Sequence, residues 1–217
     1  MLLATKPKNY TEEFQKLTML LKPDNDEIQP VAYSQIKNID PMMLMIWMNQ
    51  NGVYVLPTHE LVHWLKDFIG DRSAIEICAG HNNLGRAVGI TATDSYEQTH
   101  NRELRMYYTA ILGQVPTTPP ADVVEMDGNA AVIAYQPEVV VGAFVTQKWE
   151  PMLQDGSVYG VDEEAIVVSG RVYLHIGNAY THRNKQILRL PHETYQPAWL
   201  VTRAQKPEQN CIWVWGE

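Results

Sequence analysis

Apolar residues recur at helical spacing over residues 10–22, where Phe14, Leu17, Leu20 and Leu21 share one face. Thr11 is placed to cap this helix, with Glu12 and Glu13 in its first turn. The next stretch, KPDNDEIQP, reads as a loop because of its Pro, Asp and Asn content. Residues 41–49 are a dense apolar run that starts with Pro41 at a helix N1 position, and its four methionines suit adaptable core packing. Residues 57–69 predict a further helix, with Leu61, Leu65 and Phe68 on one face and Gly70 ending it.

Beyond residue 70 the pattern changes. Short apolar runs bounded by turn residues predict buried strands at 73–80, 89–94, 121–127, 138–145 and 171–177. Helical segments fall between them at 84–88, 95–112, 129–136 and 159–169. The segment VPTTPP at 115–120, with three prolines in six residues, permits neither helix nor central strand. Two further strands, 198–204 and 211–217, flank the polar turn KPEQN and would form a terminal hairpin. Alternation of this kind implies an α/β fold with a mostly parallel sheet covered on both faces, and the hairpin adds an antiparallel strand. Residues 1–53 then form an N-terminal helical segment and 54–217 the α/β domain.

Composition narrows the class. With 217 residues the chain can bury a core without disulfides or metal, and two cysteines, Cys78 and Cys211, form no disulfide framework. The formal net charge of -8 argues against a broad nucleic-acid footprint. No apolar run reaches membrane-spanning length and the opening MLLATKPKNY has no secretory h-region, so a cytoplasmic protein is expected.

In an open parallel sheet ligands bind beyond the carboxyl ends of the strands, at the switch point. The loop after the first predicted strand reads Glu76-Ile77-Cys78-Ala79-Gly80-His81-Asn82, and Gly80 allows a sharp turn and a close backbone approach. Asp94 ends the second strand, where it can accept hydrogen bonds from a ribose diol, and Asp127 ends the third, followed by Gly128 and Asn129. A dinucleotide G-x-G-x-x-G and a P-loop are both absent.

EICAGHN resembles the E-x-G-x-G-x-G motif of class I S-adenosylmethionine-dependent methyltransferases, and the two acids and the terminal strand pair resemble that family's further features. The stretch from Leu56 to Ser95 is also similar to a group of methyltransferase-like bacterial and phage proteins. The resemblance implies a Rossmann-like methyltransferase fold with a seven-stranded sheet, and S-adenosylmethionine as cofactor. By it, Glu76 fixes the loop, while Ala79, Gly80, His81 and Asn82 line the methionine and ribose part. Asp94 holds the ribose hydroxyls, Asp127 meets the adenine amino group, and Gly128 and Asn129 lie beside the ring. Cys78 and Asn82 replace two of the family's glycines, which would weaken close approach to the cofactor.

Methyl transfer needs an acceptor held in line in a water-poor pocket, so catalytic candidates come from the end of the fourth strand: Phe144, Thr146, Gln147, Lys148 and Trp149, above all Thr146, Gln147 and Trp149. No Asp/Asn-Pro-Pro-Tyr/Phe turn of nucleobase methyltransferases occurs there, so the expected substrate is a small molecule or a protein, and a homodimer is the expected assembly. A second reading is a methyltransferase-like binding module without turnover. A third is a zinc metalloprotease, because His59-Glu60-Leu61-Val62-His63 matches H-E-x-x-H. Against zinc, no G-x-x-H follows, and the helix is amphipathic without metal. Hence no metal is expected. His175, His182 and His192 show no metal-ligand spacing in the sequence.

Overall fold

The computed structural model describes residues 10–22 and 27–216. Residues 1–9, at the opening of the chain, and 23–26, within the loop expected at 22–30, therefore lie outside the described residues. Three helices come first: α1 (Tyr10–Leu21), α2 (Tyr33–Ile36) and α3 (Pro41–Gln50). Asp40 caps α3 by accepting the Met42 amide at 2.9 Å, and Pro41 occupies the first turn as its fixed φ dictates. The methionine-rich run is mainly core, since Met43, Leu44, Trp47 and Met48 are buried against Leu17, Leu21 and Leu56.

The sheet follows. Helix α4 (His59–Ile69) is capped by the Thr58 hydroxyl and stopped by Gly70 at φ +57°. Then come β1 (Ala74–Ile77), α5 (Asn83–Val88), β2 (Thr91–Asp94), α6 (Glu97–His100), α7 (Arg102–Met106), a π-turn (Tyr107–Ile111), β3 (Val123–Glu125), α8 (Gly128–Tyr135), β4 (Val139–Ala143), α9 (Glu163–Val168), β5 (Val172–Asn178), β6 (Glu193–Tyr195) and β7 (Asn210–Trp215). The seven strands lie in the order β3-β2-β1-β4-β5-β7-β6. Neighbours from β3 to β5 pair in parallel, and β7 is antiparallel to both β5 and β6. This is a Rossmann-like methyltransferase fold. Its order reverses between β1 and β4, so that is where a crevice opens.

Side chains alternate across the sheet as the pleat requires. Val139, Val141, Leu174, Ile176, Ile212 and Val214 pack under α4 and α5, with Leu61, Leu65 and Leu84. Val140, Tyr173, Cys211, Trp213 and Trp215 face the other way, toward Ala131 and Val132 of α8 and Ile166 of α9. No helix among the described residues is long and apolar enough to cross a membrane.

Two expectations need correction. The apolar stretch 198–204 is not a sheet strand. It runs against residues 54–56, with the Leu56 amide donating to the Val201 carbonyl and the Arg203 amide to the Tyr54 carbonyl at 3.0 and 3.1 Å. Its apolar residues serve two different cores: Leu200 belongs to the α4 face, while Val201 packs on the N-terminal helices. The strand that pairs with β7 is instead β6, three residues long and polar (Glu193-Thr194-Tyr195). A short, charged edge strand carries almost no periodic signal, and edges are commonly kept that way. The helix expected over 95–112 is also broken, because Asn101 caps a fresh turn by accepting the amides of Glu103 and Leu104.

Leu174 sits wholly buried in β5, an interior strand of the sheet. Leu174→Ala is expected to destabilise the fold by about 2–5 kcal/mol, read as a lower urea midpoint at unchanged slope.

Candidate functional site

A cavity of about 450 Å³ opens at the carboxyl ends of β1, β2 and β4, within the size range of small-molecule sites. Its floor is the turn after β1. Cys78, Gly80 and Asn82 all take left-handed backbone angles, φ +54°, +53° and +59°. The three alternate positions of the glycine motif thus keep a glycine-like conformation, although two carry side chains. Asn tolerates this region well, whereas Cys78 takes it at a cost of roughly 1 kcal/mol. Gly80 could not be replaced without movement, since a Cβ there would meet Thr117 Cγ2 at 3.0 Å.

Glu76 holds this turn to the helix behind it. Its buried carboxylate accepts the Gly85 amide at 2.6 Å. Gly85 has no room for a side chain, because a Cβ would lie 2.6 Å from Asn82 Oδ1 and 2.7 Å from Glu76 Oε2. Burial pushes the Glu76 carboxyl up to about 8, against the lowering effect of the Gly85 amide.

Asp94, at the end of β2, borders the cavity. Its two oxygens accept the amides of Gly80 and Tyr96 at 2.9 and 2.8 Å, tying the first turn to the second. Burial raises its pKa, and those two amides oppose the rise. Ala79 and His81 also line the cavity, and the His81 ring meets the Thr118 carbonyl at 3.2 Å. The 115–120 segment, expected only as a break, therefore covers the turn. Asn82 faces elsewhere: its amide donates to Asp122 at 3.0 Å.

Asp127 and Asn129 border a second cavity, which shares Ser95, Glu97 and Tyr159 with the first. Asp127 caps α8 by accepting the amides of Asn129 and Ala130. Asn129 is bonded to the Asp162 backbone through both ends of its amide. Gly128 is buried, with Val161 and Ile77 where a side chain would be.

At the end of β4, Phe144 adopts φ +54°, a strained setting for a bulky residue that cavities of this kind often contain. Phe144 and Thr146 line the cavity. Gln147 instead turns away, bonded to Asn184 and Gln186, while Lys148 borders the second cavity. Trp149 lies outside both linings and is 46% exposed.

Several site residues carry no signal in the sequence. Tyr54, Gln98, Leu104, Tyr107 and Tyr108 reach the cavity from three separate segments. Behind Val145 and Cys78 lies a buried polar cluster: Glu163 accepts from Tyr173 at 2.7 Å, lies 3.3 Å from His175 and is ion-paired with Lys185. Burial alone would raise the Glu163 carboxyl, but the Lys185 ammonium and His175 outweigh it and hold it at about 2. The His175 and His182 rings lie 4.8 Å apart although they are seven positions apart in the chain.

The H-E-x-x-H helix has other employment. Both oxygens of Glu60 accept the Tyr33 amide, and His63 is an exposed side chain beside Asp67. Among the described residues no group of three or more His, Cys, Asp or Glu is placed to hold a metal.

No family model matches the chain, and no curated protein matches it. Solved structures with a similar course include SMU.776 complexed with SAH, at 12% identity and TM-score 0.37, covering 76% of this chain and 54% of that one. Cofactor-bound Rv0187 from MTB follows at 13% identity and TM-score 0.35, covering 97% and 98% of the two chains. The Thermoplasma acidophilum 1320 structure is 14% identical with TM-score 0.30, over 71% and 83%. This chain thus spans about half the length of SMU.776.

Because the Glu76 pKa is raised, the folded state binds more protons than the unfolded one between pH 4.5 and about 8, and stability falls as pH rises through that window. Above pH 6.5 the buried histidines, whose pKa values are lowered, no longer oppose this slope. Urea unfolding from pH 6.5 to 8 should show stability declining by about 1 kcal/mol per pH unit, and Glu76→Gln should flatten it.

Proposed function

We propose that the chain binds S-adenosylmethionine in the cavity at the β1–β4 switch point and transfers its methyl group to a small-molecule acceptor. The observation that carries this reading is the turn after β1, left-handed at 78, 80 and 82 and fastened to the Asp94 carboxylate. Each Asp94 oxygen spends one acceptor site on an amide, and a carboxylate oxygen has a second to offer a ribose hydroxyl. Ala79 and Gly80 bring bare backbone to the same wall. The residues therefore fit the cofactor. When bound, it supplies a methyl group on a cationic sulfur, which a nucleophile in line can accept.

The chain's own work is placement. Phe144 and Thr146 form the wall where an acceptor would lie, and Thr117 of the 115–120 segment and Tyr107 and Tyr108 of the π-turn also line it. Asp127 and Asn129, in the adjoining cavity, are the candidates for contact with the adenine. Net charge of -8 favours a non-nucleic-acid acceptor. One observation favours the alternative of a binding module without turnover: of Thr146, Gln147 and Trp149, only Thr146 faces the cavity.

Calorimetric titration should detect S-adenosylmethionine and S-adenosylhomocysteine at roughly micromolar Kd. Asp94→Ala should weaken both by roughly 10- to 100-fold, with Asp94→Asn intermediate because it keeps an acceptor. Absence of heat with millimolar ligand and folded protein would sink the cofactor reading.

A further inference from the structure

The two cavities meet at three residues. Ser95, Glu97 and Tyr159 border both, so they frame the passage from the Asp94 end of the first to the Asp127 end of the second. The Met126 amide donates to the Asp94 carbonyl at 2.8 Å, which sets the lining of the second cavity directly beside the strand end that carries Asp94. A ligand that reaches from Asp94 to Asp127 therefore passes Tyr159.

The backbone at Tyr159 is pinned, while its side chain is not. Segment 147–161 doubles back on itself: the Lys148 amide donates to the Val161 carbonyl and the Trp149 amide to the Ser157 carbonyl, each at 2.8 Å. Between those rungs residues 157–160 close a turn. The Gly160 amide donates to the Ser157 carbonyl at 2.9 Å, and the Tyr159 amide to the Ser157 hydroxyl at 3.2 Å. Gly160 permits so close a turn, since a Cβ there would fall 2.0 Å from the Gln147 carbonyl oxygen. The Tyr159 side chain is 49% exposed, and among the described residues it has no ring, cation or hydroxyl partner. An aromatic face presented in this way gains by stacking on a planar ligand and gives up little freedom to do so.

Charge and acceptors select the ligand. Glu97, Glu125, Asp127 and Asp162 border the second cavity, and Lys148 is the single Lys or Arg among its described lining residues. Such a lining repels a phosphate. Both amides that Asp127 caps go to one carboxylate oxygen, which leaves the other to accept an amino group. We infer that Tyr159 is the stacking residue of a nucleoside subsite: its ring lies on the base of an unphosphorylated adenosine whose ribose meets Asp94 and whose amino group meets Asp127. Assigning that adenosine to S-adenosylmethionine rests on the methyltransferase reading, whereas the subsite itself does not.

The test titrates adenosine, AMP and S-adenosylhomocysteine into the full chain by calorimetry, and follows the adenine H2 and H8 resonances by NMR. Tyr159→Leu keeps an apolar side chain without an aromatic face, and Tyr159→Phe removes only the hydroxyl. Both change a half-exposed side chain, so the fold survives them. Adenosine and S-adenosylhomocysteine should each bind Tyr159→Leu at least about fivefold more weakly than the unaltered chain, and Tyr159→Phe within about threefold of it. The ring current should move H2 and H8 upfield in the unaltered chain and in Tyr159→Phe, and not in Tyr159→Leu. AMP should bind at least about tenfold more weakly than adenosine. Unchanged affinity and shifts in Tyr159→Leu overturn the stacking role and leave the cofactor reading standing. AMP binding as tight as that of adenosine, or no adenosine binding at millimolar concentration, overturns the subsite. Adenosine binding that depends on Tyr159, with no binding of S-adenosylhomocysteine, overturns the cofactor reading alone.

Discussion

The Glu76 carboxylate is sealed into the sheet against the Gly85 amide, and the geometry of the site depends on that contact. It draws the first turn of α5 onto β1, which leaves only four residues (Cys78, Ala79, Gly80 and His81) between the strand end and Asn82 at the helix N-cap. So tight a passage forces the backbone through left-handed angles at 78, 80 and 82. The local strain at Cys78 is tolerated because the surroundings over-determine it: the Asp94 carboxylate holds the Gly80 amide, and Thr117 packs on Gly80 from above. Glycine at 85 follows from the same approach, since a side chain would occupy the place of the carboxylate oxygen.

From this turn outward the cavity is assembled by elements remote in sequence. The 52–56 segment is pinned by the 198–204 segment, and Gly52 lies so close to His81 that a Cβ would meet its ring nitrogen at 2.7 Å. The segment after α3 thereby closes one side of the site, while the N-terminal helices form a core of their own. The π-turn widens the chain after α7 and swings Tyr107 and Tyr108 toward the cavity, consistent with the use of such turns at binding sites.

The sheet end opposite Asp94 is stiffened by a different means. Glu163, Lys185, Tyr173 and His175 form a buried polar cluster beneath β4 and β5, and the His182 ring beside it meets the Phe144 ring, with centroids 4.8 Å apart. Removing one member of a buried ion pair leaves an uncompensated charge, so the cluster behaves as a unit. It fixes the strained Phe144 from below while Tyr54 meets it from the side.

Period-2 and period-3.6 patterns, together with glycine and proline punctuation, were enough to determine the order of the strands through β5 and the turn at Glu76–Asn82, though not the short helix α2 or the break within 95–112. These signals are local, and burial on one or both faces writes them directly into the chain. Asp94 was legible as a strand end for the same reason, whereas Asp127, expected to end the third strand, lies two residues beyond β3 and caps α8. Only the tertiary structure decided that 198–204 leaves the sheet, because an apolar stretch reads alike whether it serves one core or two. It alone placed polar β6 at the edge, turned Gln147 out of the cavity, and brought Arg203 to Tyr54 and His182 to His175. Those pairings have no periodicity: they arise where separate segments meet, and a side chain's neighbours across the fold are not encoded in its neighbours along the chain.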